Sequence, residues 1–161
     1  MASGPNRRAG DEAVVVALWQ PSRLPQGFGE LWCQQLSSLA ELAGLRARLR
    51  KSLTGSPRVV DPGREHWSER LVLIADELTS NALRHGGPPV ATALSRTNGQ
   101  FLIAVSDTST DVPPAPAVGR DPGLGGFGLY LVADLSAQHG WCVARGTKTV
   151  WAVVPATDTG N

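Results

Sequence analysis

The stretch ELTSNALRHG, residues 77–86, sets a carboxylate, an amide, a guanidinium and an imidazole into one short run of an otherwise apolar segment. On a helix turning about 100° per residue, Glu77, Asn81 and His85 are successive i, i+4 neighbours along one flank of the Leu71, Leu78 and Ala82 stripe. An amide oxygen is a hard donor suited to Mg²⁺, which takes oxygen ligands and keeps several waters, so Asn81 is the candidate metal ligand. A carboxylate one turn earlier can hold one of those waters or accept a proton from an attacking hydroxyl, which makes Glu77 the candidate catalytic residue. The plain alternative is a helix end with a solvated polar flank.

Two downstream segments weigh against that alternative. FLIAVSDTST ends a predicted strand in Asp107, where a carboxylate in a half-buried cleft can accept from an exocyclic amine; the other reading is a strand-end Asp that starts a turn. GLGGFGL, residues 123–129, stands directly before a predicted helix, where bare backbone N–H groups suit phosphate binding, unless the glycines merely form a hinge. GLGGFG also satisfies the G-x-G-x-x-G pattern of dinucleotide-binding folds. That motif needs a strand immediately before it and an acidic residue about 20 positions later. Here PPAPAVGRDP precedes it and Lys148 stands at the acidic position, so the dinucleotide reading fails.

These residues need elements to hold them. Residues 13–19, AVVVALW, read as a short edge strand before Pro21. Leu36, Leu39, Leu42, Ala43, Leu45, Leu49 and Leu53 approximate helical spacing and predict a helix over 36–53. Arg46, Arg48, Arg50 and Lys51 lie in its C-terminal half, where positive charge suits the macrodipole. A second helix is predicted over 65–85 with a core stripe of Trp67, Leu71, Ile74, Leu78 and Ala82, stopped by GGPP. His66 then reads as a solvated residue at its start. Strands over 90–94 and 101–105 flank the turn-rich RTNGQ and predict a hairpin. The Pro- and Gly-rich stretch 110–125 is too long for a simple connector. A third helix over 128–138 and closing strands over 141–144 and 149–154 complete the pattern, with Trp141 and Trp151 expected to pair across those strands.

Helices first and strands later, in two hairpin-like pairs, predict an α/β two-layer sandwich: a mixed, mostly antiparallel sheet with helices on one face. With 161 residues, 42% hydrophobic and 18% charged, the chain suits one soluble domain over 13–155, between a loose tail over 1–12 and a short one over 156–161. A net charge of +1 gives no bulk electrostatic reason for a nucleic-acid partner, so an anionic ligand must be held locally. Cys33 and Cys142 form neither a metal spacing nor a disulfide framework and read as buried free thiols. MASGPNRRAGDE lacks the apolar core of a signal peptide, and no apolar run reaches the ~18 residues that span a bilayer, so a cytoplasmic protein is expected.

Taken in order, ELTSNALRHG, VSDTSTDVPP, GGFGLYLV and GTKTVWAVVP resemble the nucleotide-binding boxes of the GHKL ATPase superfamily, the Bergerat or histidine-kinase-like ATPase fold. The closer resemblance is to its small stand-alone members, the anti-sigma-factor serine/threonine kinases of actinomycetes and bacilli. It implies ATP and Mg²⁺ as ligands, with Asn81 as metal ligand, Glu77 as catalytic carboxylate, and Asp107 reading the adenine amino group with support from Thr149. It implies further that Arg84 and His85 line the phosphate end, and that Gly126, Gly128 and the adjoining Leu129 belong to the lid, where Arg120 is a candidate cation. The chain departs from the family's D-x-G-x-G box: Thr108, Ser109 and Thr110 follow Asp107. There is no dimerisation helix with a phospho-acceptor His, which excludes a complete histidine kinase.

The function implied is phosphorylation of an anti-sigma-factor antagonist protein, with a sigma factor bound elsewhere, for which the run Arg46 to Lys51 is a candidate docking surface unless it is simply a solvated cationic face. The alternative is an ATP-responsive module that sequesters a transcription-regulatory partner without phosphotransfer. No direct nucleic-acid or membrane partner is implied; related stand-alone proteins often dimerise.

Overall fold

A computed structural model describes residues 19–54, 64–114 and 128–156. Within them, strand β1 (Gly29–Leu36) leads through a 3₁₀ turn (Leu39–Glu41) into helix α1 (Leu42–Thr54), and helix α2 (Arg64–His85) follows. The hairpin β2 (Val90–Thr97) and β3 (Gln100–Asp107), helix α3 (Gly128–Leu135), and the hairpin β4 (Gln138–Ala144) and β5 (Thr147–Pro155) complete the order.

Period-two alternation turns one face of each strand toward the helices. Val90, Thr92 and Leu94 of β2, Phe101, Ile103 and Val105 of β3, and Val150, Ala152 and Val154 of β5 are all buried on that face. Helix α1 covers it with Leu42, Leu45, Leu49 and Leu53, a stripe of three- and four-residue steps whose members each contribute about 1.5–3 kcal/mol by burial. Helix α2 contributes Trp67, Leu71, Ile74, Leu78 and Ala82, as its predicted stripe requires, and α3 adds Leu129 and Val132.

The sheet order is β1-β2-β3-β5-β4, and every pairing between these strands is antiparallel. Among the described residues a parallel contact exists as the bridge Pro21 to Trp141 at the edge of β4, which agrees with the mostly antiparallel sheet expected. From that edge the chain crosses the face away from the helices, where Ser22 O accepts from Trp151 Nε1 at 3.2 Å and Phe28 packs on Leu102, Trp151 and Val153. The two-layer sandwich with helices on one face is the observed fold.

Several boundaries differ from expectation. Residues 29–36 form a strand that apolar spacing does not announce, and Leu36, expected to open the first helix, closes it. The helix start lies further on, where Glu41 Oε2 accepts from the backbone N–H groups of Ser37 and Ser38 at 2.6 and 3.3 Å. Helix α3 stops at Leu135, because Ala137 N already donates to Val153 O at 2.8 Å and Gln138 begins β4. Trp141 and Trp151 do not pair: Trp141 is opposite Val150 and Trp151 opposite Gly140, one register apart and therefore on opposite faces. Both cysteines are free, but Cys33 is exposed and Cys142 only half-buried. His66 is exposed as expected. The strand predicted over 13–19 lies outside the described residues apart from Trp19, which is buried against His139. Much of the long 110–125 stretch lies outside them too.

Candidate nucleotide site

The polar end of α2 is fixed in rotation by three contacts along the helix. Trp67 stacks on Phe101 with ring centroids 5.4 Å apart, Thr79 Oγ1 bonds to Thr92 Oγ1 at 2.8 Å in the core, and Arg46 Nη1 reaches Asp76 Oδ1 at 2.6 Å from α1. With Leu71, Leu78 and Ala82 facing the sheet, Glu77 and Asn81 come to lie half-buried at the rim, while Arg84 and His85 are exposed at the end. Glu77 faces the start of α3: a Cβ placed on Gly128 would run into the Glu77 carboxylate, whose Cδ would be 2.7 Å away. Burial pushes the Glu77 carboxyl up from its ordinary value, Asp76 adds to the rise, and Arg84 opposes it. A carboxyl raised in this way is better matched to accepting a proton near neutral pH.

Beyond the helix, Gly86 and Gly87 bring the chain against the end of β3. Gly86 N closes the helix on Ala82 O at 2.8 Å, and Thr108 N donates to Gly87 O at 2.9 Å. A Cβ on Gly86 would lie 2.6 Å from Asp107 Cγ, and one on Gly87 would collide with Thr108 Oγ1 and sit 3.2 Å from Ser109 Oγ. Asp107 is 2% exposed; its Oδ1 accepts from Ser109 N at 2.8 Å, the Asx-turn expected of a strand-end aspartate.

Lys148, which motif reading passed over, is the other group on Asp107. It is opposite Asp107 in the β3–β5 register, 5% exposed, with Nζ 3.4 Å from Oδ2 and donating to Val112 O at 2.8 Å. The signal was present in the alternation of TKTVWAVV, which puts Lys148 on the same face as Val150, Ala152 and Val154. A lysine on an apolar strand face calls for a carboxylate across from it. The same alternation places Thr149 on the opposite face, beside Ser106 and Cys142, and so away from Asp107. The expected support of Asp107 by Thr149 is therefore corrected: the inward residue is Lys148.

Leu129 is 2% exposed in the hydrophobic core and presents no side chain to a ligand. Gly126 and Arg120 lie outside the described residues. The basic run on α1 is engaged internally: Arg46 pairs with Asp76, Arg50 with Glu69 at 3.2 Å, and the Arg48 guanidinium lies 4.4 Å over the Trp32 ring. A cavity of about 430 Å³ opens between Gln35, Leu36, Leu83 and Pro88, but Glu77, Asn81 and Asp107 do not line it.

Among the described residues no three His, Cys, Asp or Glu side chains gather into a metal cage. A half-buried Asn81 amide oxygen, one helical turn after the Glu77 carboxylate, suits a cation that keeps most of its waters, which fits Mg²⁺. The buried, acceptor-bearing Asp107 fits the amine edge of a base. Fold and site together define a nucleotide-binding α/β sandwich. The chain belongs to the histidine kinase-like ATPase domain family, whose model matches residues 32–153. No curated protein matches the chain. Membership of this family implies ATP binding, and among the described residues no helix is long and apolar enough to cross a membrane.

Proposed function

We propose that the protein is a cytoplasmic Mg²⁺- and ATP-dependent serine/threonine kinase of the anti-sigma-factor type, acting on an antagonist protein that opposes its hold on a sigma factor. The observation that carries this reading is Glu77: a half-buried carboxyl, raised by its surroundings, one helical turn before Asn81. Glu77 orients an incoming serine or threonine hydroxyl and takes its proton. Asn81 would offer its amide oxygen to the metal, and Asp107 would accept from the base. Mg·ATP, when bound, supplies the phosphoryl group and the divalent charge that offsets charge developing on it. Arg84 and His85, exposed beyond Asn81, are placed to meet anionic groups of ligand or partner.

A second reading is an ATP-responsive module that sequesters its partner without phosphotransfer. The contact between Glu77 and Gly128 favours it, because a carboxylate held against a helix start is less free to meet a hydroxyl. Labelled ATP, incubated with the protein and candidate antagonist proteins, separates the two: kinase activity transfers label and Glu77→Gln abolishes the transfer. Binding of ATP without label transfer supports the module. Calorimetry with and without Mg²⁺ tests the shared premise, since Asn81→Ala should weaken ATP binding at least tenfold in Mg²⁺ and little in its absence, roughly the cost of one charge-assisted contact.

A further inference from the structure

The two edges of the sheet are finished differently. At β4, Pro21 bridges Trp141 and Ser22 N donates to Trp141 O at 2.8 Å, so the chain itself covers part of that edge. At β1, among the described residues, no strand pairs beyond Gly29–Leu36, and its outward backbone N–H and C=O groups form an open edge. Open edges are ordinarily blunted by lysine, proline or an inward charge. GELWCQQL has none of these past Glu30, and its one irregularity lies between Glu30 and Trp32, which leaves 32–36 regular. The edge is also held in place. Trp32 Nε1 donates to Ser52 Oγ at 2.8 Å, while Arg48 lies over the Trp32 ring and donates to Gln34 Oε1 at 3.1 Å. Leu31, 45% exposed, and the exposed Cys33 stand along it.

We propose that β1 is the interface for a second copy of this chain: the two β1 strands pair antiparallel about a two-fold axis at Cys33 and join two five-stranded sheets into one. The strand is complementary to itself. Two-fold pairing keeps both helix layers on one side only if facing residues share a face, so their numbers must sum to an even number. Trp32, Cys33 and Gln34 are the central choices, and a residue on the axis meets its own copy. The thiol is the smallest of the three and faces away from α1, whereas Trp32 and Gln34 are engaged by that helix. In this register Glu30, the one charge on the strand, faces Leu36 of the second copy rather than itself, and Leu31 faces Gln35. Gln35 lines the cavity of about 430 Å³ together with Leu36, Leu83 and Gly86. The second copy's Leu31 therefore arrives at the mouth of a cavity whose wall includes the glycine packed on Asp107, and the symmetry completes both cavities at once. A pairing of eight residues is small, in the class below about 1,200 Å² that associates weakly, so dissociation in the micromolar range is expected.

Sedimentation velocity on the full chain, from about 1 to about 100 μM, reads the association. The wild type should pass from monomer to dimer across this range. Leu31→Lys puts a charge on the edge and removes the apolar contact, so it should raise the dissociation constant about tenfold or more. Facing residues of an antiparallel pair have Cα atoms about 4.5–5.5 Å apart, inside the span of about 4.4–6.8 Å that a disulfide bridges. Oxidation with diamide should therefore join two chains through Cys33: Cys142→Ser keeps the cross-link, and Cys33→Ser loses it while still dimerising. A dimer that lacks the Cys33 cross-link, or one indifferent to Leu31→Lys, lies on another surface and overturns the inference. Should Leu31→Lys fail to fold, the cross-link decides alone. A monomer throughout also overturns it, and would leave the edge to a strand of a different protein or to another segment of this chain. Arg48 flanks the axis in both copies, so added salt should not weaken the dimer; a dimer dissolved by salt is held by ion pairs elsewhere, and the inference fails.

Discussion

Gly86→Ala should destabilise the protein, although alanine is ordinarily the better residue in and near helices. A Cβ at Gly86 would lie 2.6 Å from Ala82 O, 2.6 Å from Asp107 Cγ and 2.7 Å from Asp107 Oδ2, closer than side chains approach such atoms. Neither neighbour can give way cheaply. Ala82 O is backbone and already accepts from Gly86 N, while Asp107 is held by Ser109 N and Lys148. Overpacking of this kind costs about 1–3 kcal/mol, against which the lost freedom of the unfolded chain returns about 0.4–1 kcal/mol. Moving Asp107 off Lys148 adds part of the cost of breaking a buried pair, so the net destabilisation should be about 2–3 kcal/mol. For a chain of 161 residues that lowers the melting midpoint by about 4–12 °C. Gly44→Ala is the internal control. Gly44 lies within α1 with nothing near its absent Cβ, so that substitution should stabilise by about 1 kcal/mol. Thermal melts followed by circular dichroism read both. If Gly86→Ala melts at or above the wild type, as Gly44→Ala should, the packing of the helix end against Asp107 is not as described.

Three further outcomes follow from contacts around the site. The Glu77 carboxyl is raised in the folded state, so its ionised form burdens the fold above the folded value. Glu77→Gln should therefore melt higher than wild type near pH 7–8, and the advantage should vanish as pH falls toward the ordinary value of 4.5; a gain that persists in acid would contradict the burial. Thr79→Val strands the buried Thr92 hydroxyl and should cost about 1–3 kcal/mol in urea denaturation, whereas Thr79→Val with Thr92→Val should recover part of that loss; simple additivity would show the two hydroxyls to be independent. Trp67→Ala removes the ring stacked on Phe101 and should cost about 3–5 kcal/mol, with a loss below 1 kcal/mol indicating that the start of α2 is not seated on the sheet.

The parts of the fold that apolar spacing made legible are those where one face is buried and the other is not. The stripe from Trp67 to Ala82 and the inner positions of β2, β3 and β5 follow from it directly. Tight hairpins were legible too: Gly99 takes φ 84°, and Arg145 and Gly146 take φ 54° and 75° at the turn inside RGTK. Strand β1 was not, for a physical reason. It is an edge strand with a register irregularity between Glu30 and Trp32, and Leu31 is 45% exposed, so GELWCQQL shows no clean alternation. Apolar spacing alone starts the helix that follows too early, because Leu36 and Leu39 happen to continue its spacing. The S-x-x-E pattern of Ser38 and Glu41 marks the true beginning and outweighs the leucines. The end of α3 carried no such mark, since its last turn gives way to β4 without a glycine or proline between them.

Legibility of the site divides along a different line. Residues on a helix of known phase, Glu77 and Asn81, are brought to one rim because the phase determines the flank. Residues assigned through a motif on a strand depend on parity, and a displacement of one position moves a side chain through the sheet. Thr149 and Lys148 are adjacent in sequence but on opposite sides of it, and the alternation that buries Val150, Ala152 and Val154 is what assigns the inner place to the lysine. At the end of β3, Ser109 stands where the family's D-x-G-x-G pattern has its first glycine, and close packing against the helix end is carried by Gly86 and Gly87. Close approach requires one side of a contact to lack a Cβ, and it does not matter which; Gly86 and Gly87 supply it from the helix end. Two glycines that a motif reading treats only as a helix stop therefore carry the packing of the helix end against Asp107 and Thr108.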